Sequence, residues 1–161
     1  MPSCRTFISE RTVMPTRTAR TAWTGTLHQG SGQVELTSSG IGKYDVSFPE
    51  RSADTANGTT SPEELLAAAH SSCYAMALSA QIANAGGVPD SLDITADVTL
   101  GLDPVGGFRI TAVALKVRGR VHGIGADAFQ AAAHAAKAGC PLSKALASVD
   151  HIALDTAAVA Y

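Results

Sequence analysis

Two cysteines in different local settings are the residues of this sequence best suited to chemistry. Cys73 lies in the middle of an Ala- and Leu-rich segment, where a free cysteine is commonly a small buried core residue. Cys140 follows Gly139 and precedes Pro141, so it is predicted to be the N-cap of a short helix. The unpaired N–H groups and the positive end of the helix dipole stabilise a thiolate there. The two settings together predict a redox-active pair, with structural packing as the alternative for Cys73.

Histidines suggest the main rival chemistries, which are metal binding and hydrolysis. The sequence has no CxxC, HxxxH or HExxH motif, so no metal site is predicted. His70 precedes Cys73 by three residues on one helical face, which leaves a Cys-based hydrolase with His70 as its base as an alternative. A second alternative is a non-enzymatic, dimeric ligand-binding protein in which both cysteines only pack. The other histidines are expected to be ordinary surface or core residues; they are His28, His122, His134 and His151.

The composition indicates a folded protein without a polyanionic partner. Of the 161 residues, 45% are hydrophobic and 16% are charged, and the formal net charge is -2, so neither disorder nor nucleic-acid binding is indicated. The apolar runs are shorter than the roughly 20 residues that a membrane span needs. Three cysteines without a secretory signal do not make a disulfide framework. A reducing cytoplasm is therefore expected, where a cysteine pair is more often catalytic. No cofactor is predicted.

The sequence predicts a flexible extension over residues 1–20 and a single domain over residues 21–161. Residues 1–13 contain two arginines, one acid and several hydroxyl residues, a composition that mildly resembles an organelle transit peptide. The preferred interpretation is an upstream-translated extension before an internal start at Met14. Cys4 lies in this stretch and is expected to have no role.

Short strands interrupted by glycines are predicted in the first third of the chain. Strands at 23–29, 33–37 and 43–48 are expected to form an antiparallel meander. The polar stretch 51–60 is predicted to be an exposed loop with a turn at Asn57-Gly58.

A long helix must carry the first of the two cysteines. Ser61 at the N-cap, Pro62 at the first helical position and Glu64 at N3 form a capping box, and the helix is predicted to run to Asn84. Nearly every position from Leu65 to Leu78 is apolar or small, so the helix is predicted to be buried on most sides. One sheet cannot supply that much cover, and a homodimer is therefore expected.

The second half of the chain predicts a hairpin followed by helices. Residues 92–100 alternate between apolar and polar, as in a half-buried strand, and the turn at 103–107 connects them to a strand at 108–121. The further elements are an Ala-rich helix capped by Asp127 and ending at Gly139, a short helix at 142–148, and a last strand or tail at 152–159. This order predicts an α+β fold in which antiparallel sheets pack around the long buried helix.

Both cysteines lie in long and specific motifs. The first motif is SPEELLAAAHSSCYAMAL at Ser61–Leu78, and the second is AGCPLS at Ala138–Ser143. Together they closely resemble the OsmC/Ohr family of hydroperoxide peroxidases, over a stretch from about Thr21 to about Thr156. The His before the first cysteine and the Met-Ala-Leu after it are more similar to the OsmC branch than to the Ohr branch.

The resemblance implies an OsmC-like fold, an intertwined homodimer and a thiol peroxidase of the oxidative stress response. Its substrates would be organic hydroperoxides and hydrogen peroxide, and its reductant a dithiol, of the dihydrolipoyl or another small type. The resemblance implies that Cys73 attacks and becomes a sulfenic acid, and that Cys140 resolves it as an intramolecular disulfide. It also implies two activating residues, an Arg and a Glu, which match Arg51 and Glu63.

These implied roles are chemically reasonable. An Arg beside a thiol favours the thiolate and can hold the peroxide oxygens, and Glu63 would orient Arg51. Local electrostatics alone favour Cys140 as the cysteine of lower pKa, whereas the resemblance names Cys73 as the attacking thiol, and attack by Cys73 is expected. Glu63 and Cys73 are ten residues apart, which is about 15 Å along a straight helix. Either the helix begins later than predicted, or Glu63 comes from a partner subunit.

Overall fold

A computed structural model describes residues 15–160, and this part of the chain divides between Thr59 and Thr60 into two compact units. Residues 1–14 lie outside the described residues, as does Tyr161. They include Cys4 and most of the predicted flexible extension.

The first unit contains an antiparallel three-stranded meander, as predicted. Its strands are β1 (Arg20–Thr24), β2 (Ser31–Glu35) and β3 (Lys43–Ser47), in that order across the sheet. The extent predicted for the first strand was wrong. Gly25 has a φ of 92°, and a turn follows it in which the Gly30 amide donates to the Thr26 carbonyl. An extended strand cannot continue through that backbone conformation.

A short helix that the sequence did not predict follows β3. It is α1 (Phe48–Arg51), and the Ser47 side chain caps it by accepting a hydrogen bond from the Glu50 amide at 3.3 Å. The predicted turn beyond it is confirmed, because Asn57 and Gly58 both have positive φ angles, of 47° and 81°. Arg51, which was predicted to begin a loop, therefore ends a helix.

The second unit begins with the long helix α2 (Pro62–Asn84), whose bounds are those predicted. The Ser61 side chain accepts a hydrogen bond from the Glu64 amide at 3.1 Å, which confirms the capping box. Within the described chain, α2 is buried along a single stripe rather than on most sides. Its buried residues are His70, Tyr74, Leu78 and Ile82. On the opposite side Met76 is 69% exposed, so cover from a second copy remains a prediction.

A second sheet packs against this helix. Strands β4 (Val88–Leu102) and β5 (Phe108–His122) form the predicted antiparallel hairpin, and the alternating burial of residues 92–100 is confirmed. The last strand, β6 (Ile152–Ala160), pairs with β5 in parallel, so the prediction of purely antiparallel sheets was wrong here. The reason is the connection: a helical crossover returns the chain to the same end of the sheet before β6 begins.

That crossover consists of α3 (Ala126–Gly139) and α4 (Pro141–Ala145). Gly125 is the N-cap of α3, so the prediction that Asp127 caps it was wrong; Asp127 lies in the first turn, where its charge still favours the helix. The fourth helix ends at Ala145, earlier than predicted. Cys140, between the two helices, is fully buried in the core of the unit, which also contains Phe129 and Leu115. The fold is α+β with two small sheets, as predicted.

Candidate active site

The two predicted cysteines meet inside the second unit. Cys73 lies on α2 beside the buried stripe, and Cys140 links α3 to α4 as the N-cap of α4, as predicted. Their sulfur atoms are 3.4 Å apart, in hydrogen-bond contact, and both are free thiols. A disulfide needs about 2.05 Å, so a small movement would join them. Cys140 is 0% exposed, whereas Cys73 is only partly buried, so Cys73 is the more accessible residue of the pair.

The protein environment gives the two thiols different acidities. Burial by itself raises the pKa of Cys140, but the Ser143 amide, the Cys73 thiol, the Ser143 hydroxyl and the Leu142 amide together lower it below its ordinary value. The Cys140 side chain makes no capping hydrogen bond to α4. Burial raises the pKa of Cys73, and the neighbouring Cys140 raises it further. The first proton lost by the pair therefore leaves its charge mainly on Cys140.

Ser143 connects the pair to a buried histidine. His70 is 0% exposed, and its Nε2 atom lies 2.9 Å from the Ser143 hydroxyl. Burial lowers the pKa of His70, which favours the neutral ring at neutral pH. The hydrolase alternative took His70 as a base for Cys73, yet its hydrogen bond goes to Ser143. The sequence analysis missed Ser143; the available signal was its place three residues after the predicted N-cap.

Tyr74 fixes α2 beside the cysteines. Its hydroxyl donates to the Ala133 carbonyl of α3 at 2.8 Å, and the whole side chain is buried. Burial, with the nearby Cys140 as a further cause, raises the pKa of Tyr74. The phenol is therefore neutral and serves as a donor that connects two helices.

The structure places the two predicted activating residues on separate helices. Glu63 lies in the first turn of α2, in the second unit, and Arg51 ends α1, in the first unit. Because α2 begins at Pro62, Glu63 and Cys73 of one chain are about 15 Å apart along the helix axis. The alternative in which the helix begins later is thereby excluded. The structure does not bring Glu63 to Cys73 within one chain.

The remaining histidines have ordinary contacts. His122 pairs with Asp90 at 2.8 Å, and the ring of His28 packs edge-on against Phe48. Between residues 15 and 160, no group of three or more His, Cys, Asp or Glu side chains could hold a metal ion. Over the same residues, no helix combines the length and apolar character needed to cross a bilayer.

Comparison with known proteins points to one family. The family model described as "OsmC-like protein" matches residues 55–155. The chain is 42% identical over 125 residues to "Peroxiredoxin OsmC" of Escherichia coli (strain K12), a match that covers 77% of this chain and 85% of the relative. The Shigella flexneri protein of the same name matches equally well.

Solved structures have a similar fold. The organic hydroperoxide resistance protein OhrB of Bacillus subtilis superposes with a TM-score of 0.67 at 27% identity, over 86% of this chain and 96% of that chain. A Legionella pneumophila protein, described as an organic hydroperoxide resistance protein OsmC, gives a TM-score of 0.65 at 24% identity, over 89% and 98% of the two chains. At that identity the second likeness shows the fold alone.

Proposed function

The chain belongs to the OsmC-like protein family, and from that premise we propose that it is a cysteine-dependent peroxidase that reduces organic hydroperoxides and hydrogen peroxide. The observation that carries the proposal is the contact between Cys73 and Cys140 at 3.4 Å. Cys73 is partly exposed and can meet a substrate, whereas Cys140 is buried in the core. A peroxidase that cycles through a disulfide needs this arrangement.

The proposed cycle has two chemical steps. In the first, the Cys73 thiolate attacks the terminal oxygen of the hydroperoxide, the O–O bond breaks, and the alkoxide leaves and takes a proton to become an alcohol. Cys73 is thereby oxidised to a sulfenic acid. In the second, the Cys140 thiolate attacks the sulfenic sulfur, the S–S bond forms, and hydroxide leaves. Cys140 is buried whereas Cys73 is only partly buried, which supports this assignment of attack and resolution.

Arg51 and Glu63 are proposed to activate the attack. A guanidinium beside Cys73 would offset the raised pKa of that thiol and hold the peroxide oxygens. Glu63 would orient the guanidinium through a charge-assisted pair. Their assignment rests on the match between this sequence and the motifs of the OsmC-like family.

A homodimer is proposed to complete the site. Antiparallel packing of α2 against its copy would bring the start of one helix near the middle of the other, and so Glu63 of one chain near Cys73 of its partner. The exposed face of α2, where Met76 is 69% exposed, supports this packing because it would otherwise leave an apolar surface in water.

Regeneration requires a dithiol. The disulfide is reduced when one thiol of a dithiol attacks it and the second thiol displaces the first, which leaves two protein thiols and an oxidised reductant. A reducing cytoplasm that keeps such a dithiol available is the proposed location, and a dihydrolipoyl type is the proposed reductant class. The cycle needs no cofactor.

Catalytic turnover tests the proposal. We expect the purified protein to consume cumene hydroperoxide in molar excess over enzyme when a dithiol is supplied, and to form a Cys73–Cys140 disulfide when the dithiol is omitted. A protein that only binds ligands would give at most stoichiometric loss of peroxide with any reductant. That result would overturn the proposed function and favour the binding-protein alternative.

A further inference from the structure

A buried hydrogen bond joins α2 to α4 beside the two cysteines. His70, three residues before Cys73, contacts the hydroxyl of Ser143 at 2.9 Å, and Ser143 is three residues after Cys140. His70 is 0% exposed and Ser143 is 7% exposed, so water does not compete for these contacts. Burying the polar side chains of His70 and Ser143 in an apolar core costs free energy unless they are hydrogen-bonded. Neither residue has a role in the two steps of the proposed cycle.

We propose that His70 and Ser143 are positioning residues whose buried contact holds the resolving thiol of Cys140 against Cys73. This inference rests on the proposed peroxidase function and adds two residues to its second step. Neither residue touches the peroxide. Both act through Cys140.

The direction of the hydrogen bonds follows from what each atom can reach. Among residues 15–160, Nδ1 of His70 is buried without a hydrogen-bond partner. An unpaired N–H is costlier to bury than an unpaired lone pair, so we assign the proton of the neutral ring to Nε2. Nε2–H then donates to the Ser143 oxygen, which leaves the Ser143 hydroxyl proton available to act on Cys140, whose pKa this hydroxyl lowers.

The resolving step benefits from this arrangement. Disulfide formation requires a thiolate, and a thiol protonated at neutral pH would first have to lose its proton inside the core. The Ser143 hydroxyl lowers the pKa of Cys140 and so favours the thiolate that must attack. The contact of His70 with Ser143 joins α2 to α4 and so helps to keep the two sulfur atoms at their short separation. A slow resolving step would leave the sulfenic acid open to further oxidation by a second peroxide.

Few other ionisable groups face Cys140. From α2 these are Cys73, Tyr74 and, through Ser143, His70. The cations of the neighbouring helices are Lys137 on α3, which donates to the Ile152 carbonyl, and Lys144 on α4, which is exposed. The hydroxyl of Ser143 is therefore the side-chain donor, apart from Cys73, that acts on the buried sulfur directly.

The first experiment measures the acidity of Cys140 without needing peroxidase activity. In a background with Cys4→Ser and Cys73→Ser, which leaves Cys140 as the one cysteine of the chain, the ultraviolet absorbance of the Cys140 thiolate is titrated with pH. Adding Ser143→Ala removes the hydroxyl, and Ser143→Thr retains it as the matched control. Adding His70→Leu removes the donor to Ser143, and His70→Gln retains an N–H at a similar place. We expect the Ala and Leu variants to titrate at higher pH than their background, and the Thr and Gln variants to stay near it.

The second experiment follows the two chemical steps separately, with Cys73 and Cys140 both present. Peroxide is mixed with reduced protein, and samples quenched over time are resolved by mass spectrometry into thiol, dimedone-trapped sulfenic acid and disulfide. We expect Ser143→Ala and His70→Leu to slow disulfide formation about tenfold, for a pKa change of about one unit, with little change in the rate of Cys73 oxidation. The pH profile of disulfide formation should move to higher pH.

The outcomes separate this inference from the proposed function. Unchanged Cys140 titration and unchanged disulfide formation in Ser143→Ala would overturn it, even in an active peroxidase. An effect of Ser143→Ala without an effect of His70→Leu would overturn the part that assigns His70. If His70→Leu does not fold, His70→Met, which also lacks an N–H donor, takes its place against His70→Gln, and the comparison of Ser143→Ala with Ser143→Thr decides the role of Ser143. Failure of wild-type Cys73 to react with any hydroperoxide would overturn the proposed function instead, and the titration would still test the role of Ser143.

Discussion

The sulfur of Cys140 lies 3.4 Å from the sulfur of Cys73, and the thiol with the lowered pKa is the buried one. Cys140 is thus the more acidic thiol of the two, and Cys73 is the more accessible one. Cys73, the partly exposed thiol, has a raised pKa, because its partial burial and the neighbouring Cys140 both oppose its ionisation. A peroxidase built on this pair needs a further positive group to activate Cys73 for attack, whereas Cys140 is prepared for resolution in the single chain.

Replacing each cysteine should stop the cycle at a different point. We expect Cys73→Ser to abolish reduction of hydroperoxides, because the remaining thiol of the pair, Cys140, is buried. Cys140→Ser should retain one fast reaction with peroxide and then accumulate sulfenic acid, followed by sulfinic acid at high peroxide. Intact-mass measurement after peroxide treatment distinguishes these products by the oxygen atoms added. Full turnover by Cys73→Ser would show that the assignment of the attacking thiol is wrong.

Removing the proposed activating guanidinium should slow attack rather than resolution. We expect Arg51→Ala to lower the second-order rate of Cys73 oxidation about tenfold or more, since the loss of a nearby positive charge raises a thiol pKa by about a unit or more. The rate for Arg51→Lys should lie between those of the wild type and Arg51→Ala, because lysine retains the charge but lacks the planar guanidinium. Arg20→Ala on the exposed strand β1 is the control for charge. Equal rates in all four proteins would remove Arg51 from the site.

Mixed dimers test whether Glu63 acts across subunits. We pair a Glu63→Ala chain with a Cys73→Ser chain, using two affinity tags to isolate the heterodimer. If Glu63 serves its partner, one site retains both residues and the heterodimer should have about half of the wild-type activity. The matched control places both substitutions in one chain and pairs it with a wild-type chain. Action across subunits then leaves no complete site, whereas action within a chain leaves one, so the two pairings must give opposite results.

Local signals explain which parts of the fold could be predicted. The bounds of α2 were predicted because its ends are determined by neighbours in sequence, namely the Ser61 cap at one end and Gly86, with a φ of 84°, at the other. The hairpin of β4 and β5 follows equally from alternation and a glycine turn. The parallel pairing of β6 could not be predicted from local signals, because it depends on how α3 and α4 pack before the strand begins.

The candidate site was predictable only in part, because its contacts join residues that are distant in sequence. The N-cap position of Cys140 is local and was predicted, but its contact with Cys73 joins residues 67 apart in sequence. The sequence analysis obtained that pairing only through the resemblance to a family. The contact of His70 with Ser143 spans 73 residues, and no motif gave it a role, so only the fold could bring it to light.

The exposed face of α2 should control assembly. Met76 is 69% exposed in the middle of the helix, and we expect Met76→Glu to weaken dimerisation at least tenfold by placing a charge in the proposed interface. Light scattering combined with gel filtration over a dilution series measures the change. Val105→Glu, at a residue 94% exposed in the turn between β4 and β5, is the control for an added charge on an apolar residue. A wild-type protein that is monomeric at all concentrations, and fully active, would contradict the dimer.

Stability in mild acid should depend on His70. Burial lowers its pKa below the ordinary value of 6.5, so the unfolded chain takes up a proton at this residue more readily than the folded chain does. The free energy of unfolding should therefore decrease as the pH falls below 6.5 toward the lower folded pKa, with a slope from this residue of at most about 1.4 kcal/mol per pH unit. Above that window both states carry a neutral ring, and His70 contributes no pH dependence.

The measurement is urea denaturation at a series of pH values with His70→Gln as the matched variant, because glutamine cannot titrate but can still donate to Ser143. We expect the variant to be less sensitive to acid than the wild type over this window, although its stability at neutral pH should be lower. Parallel pH profiles for the two proteins would mean that the pKa of His70 is the same in the folded and unfolded states, and burial would then not hold the ring in its neutral form.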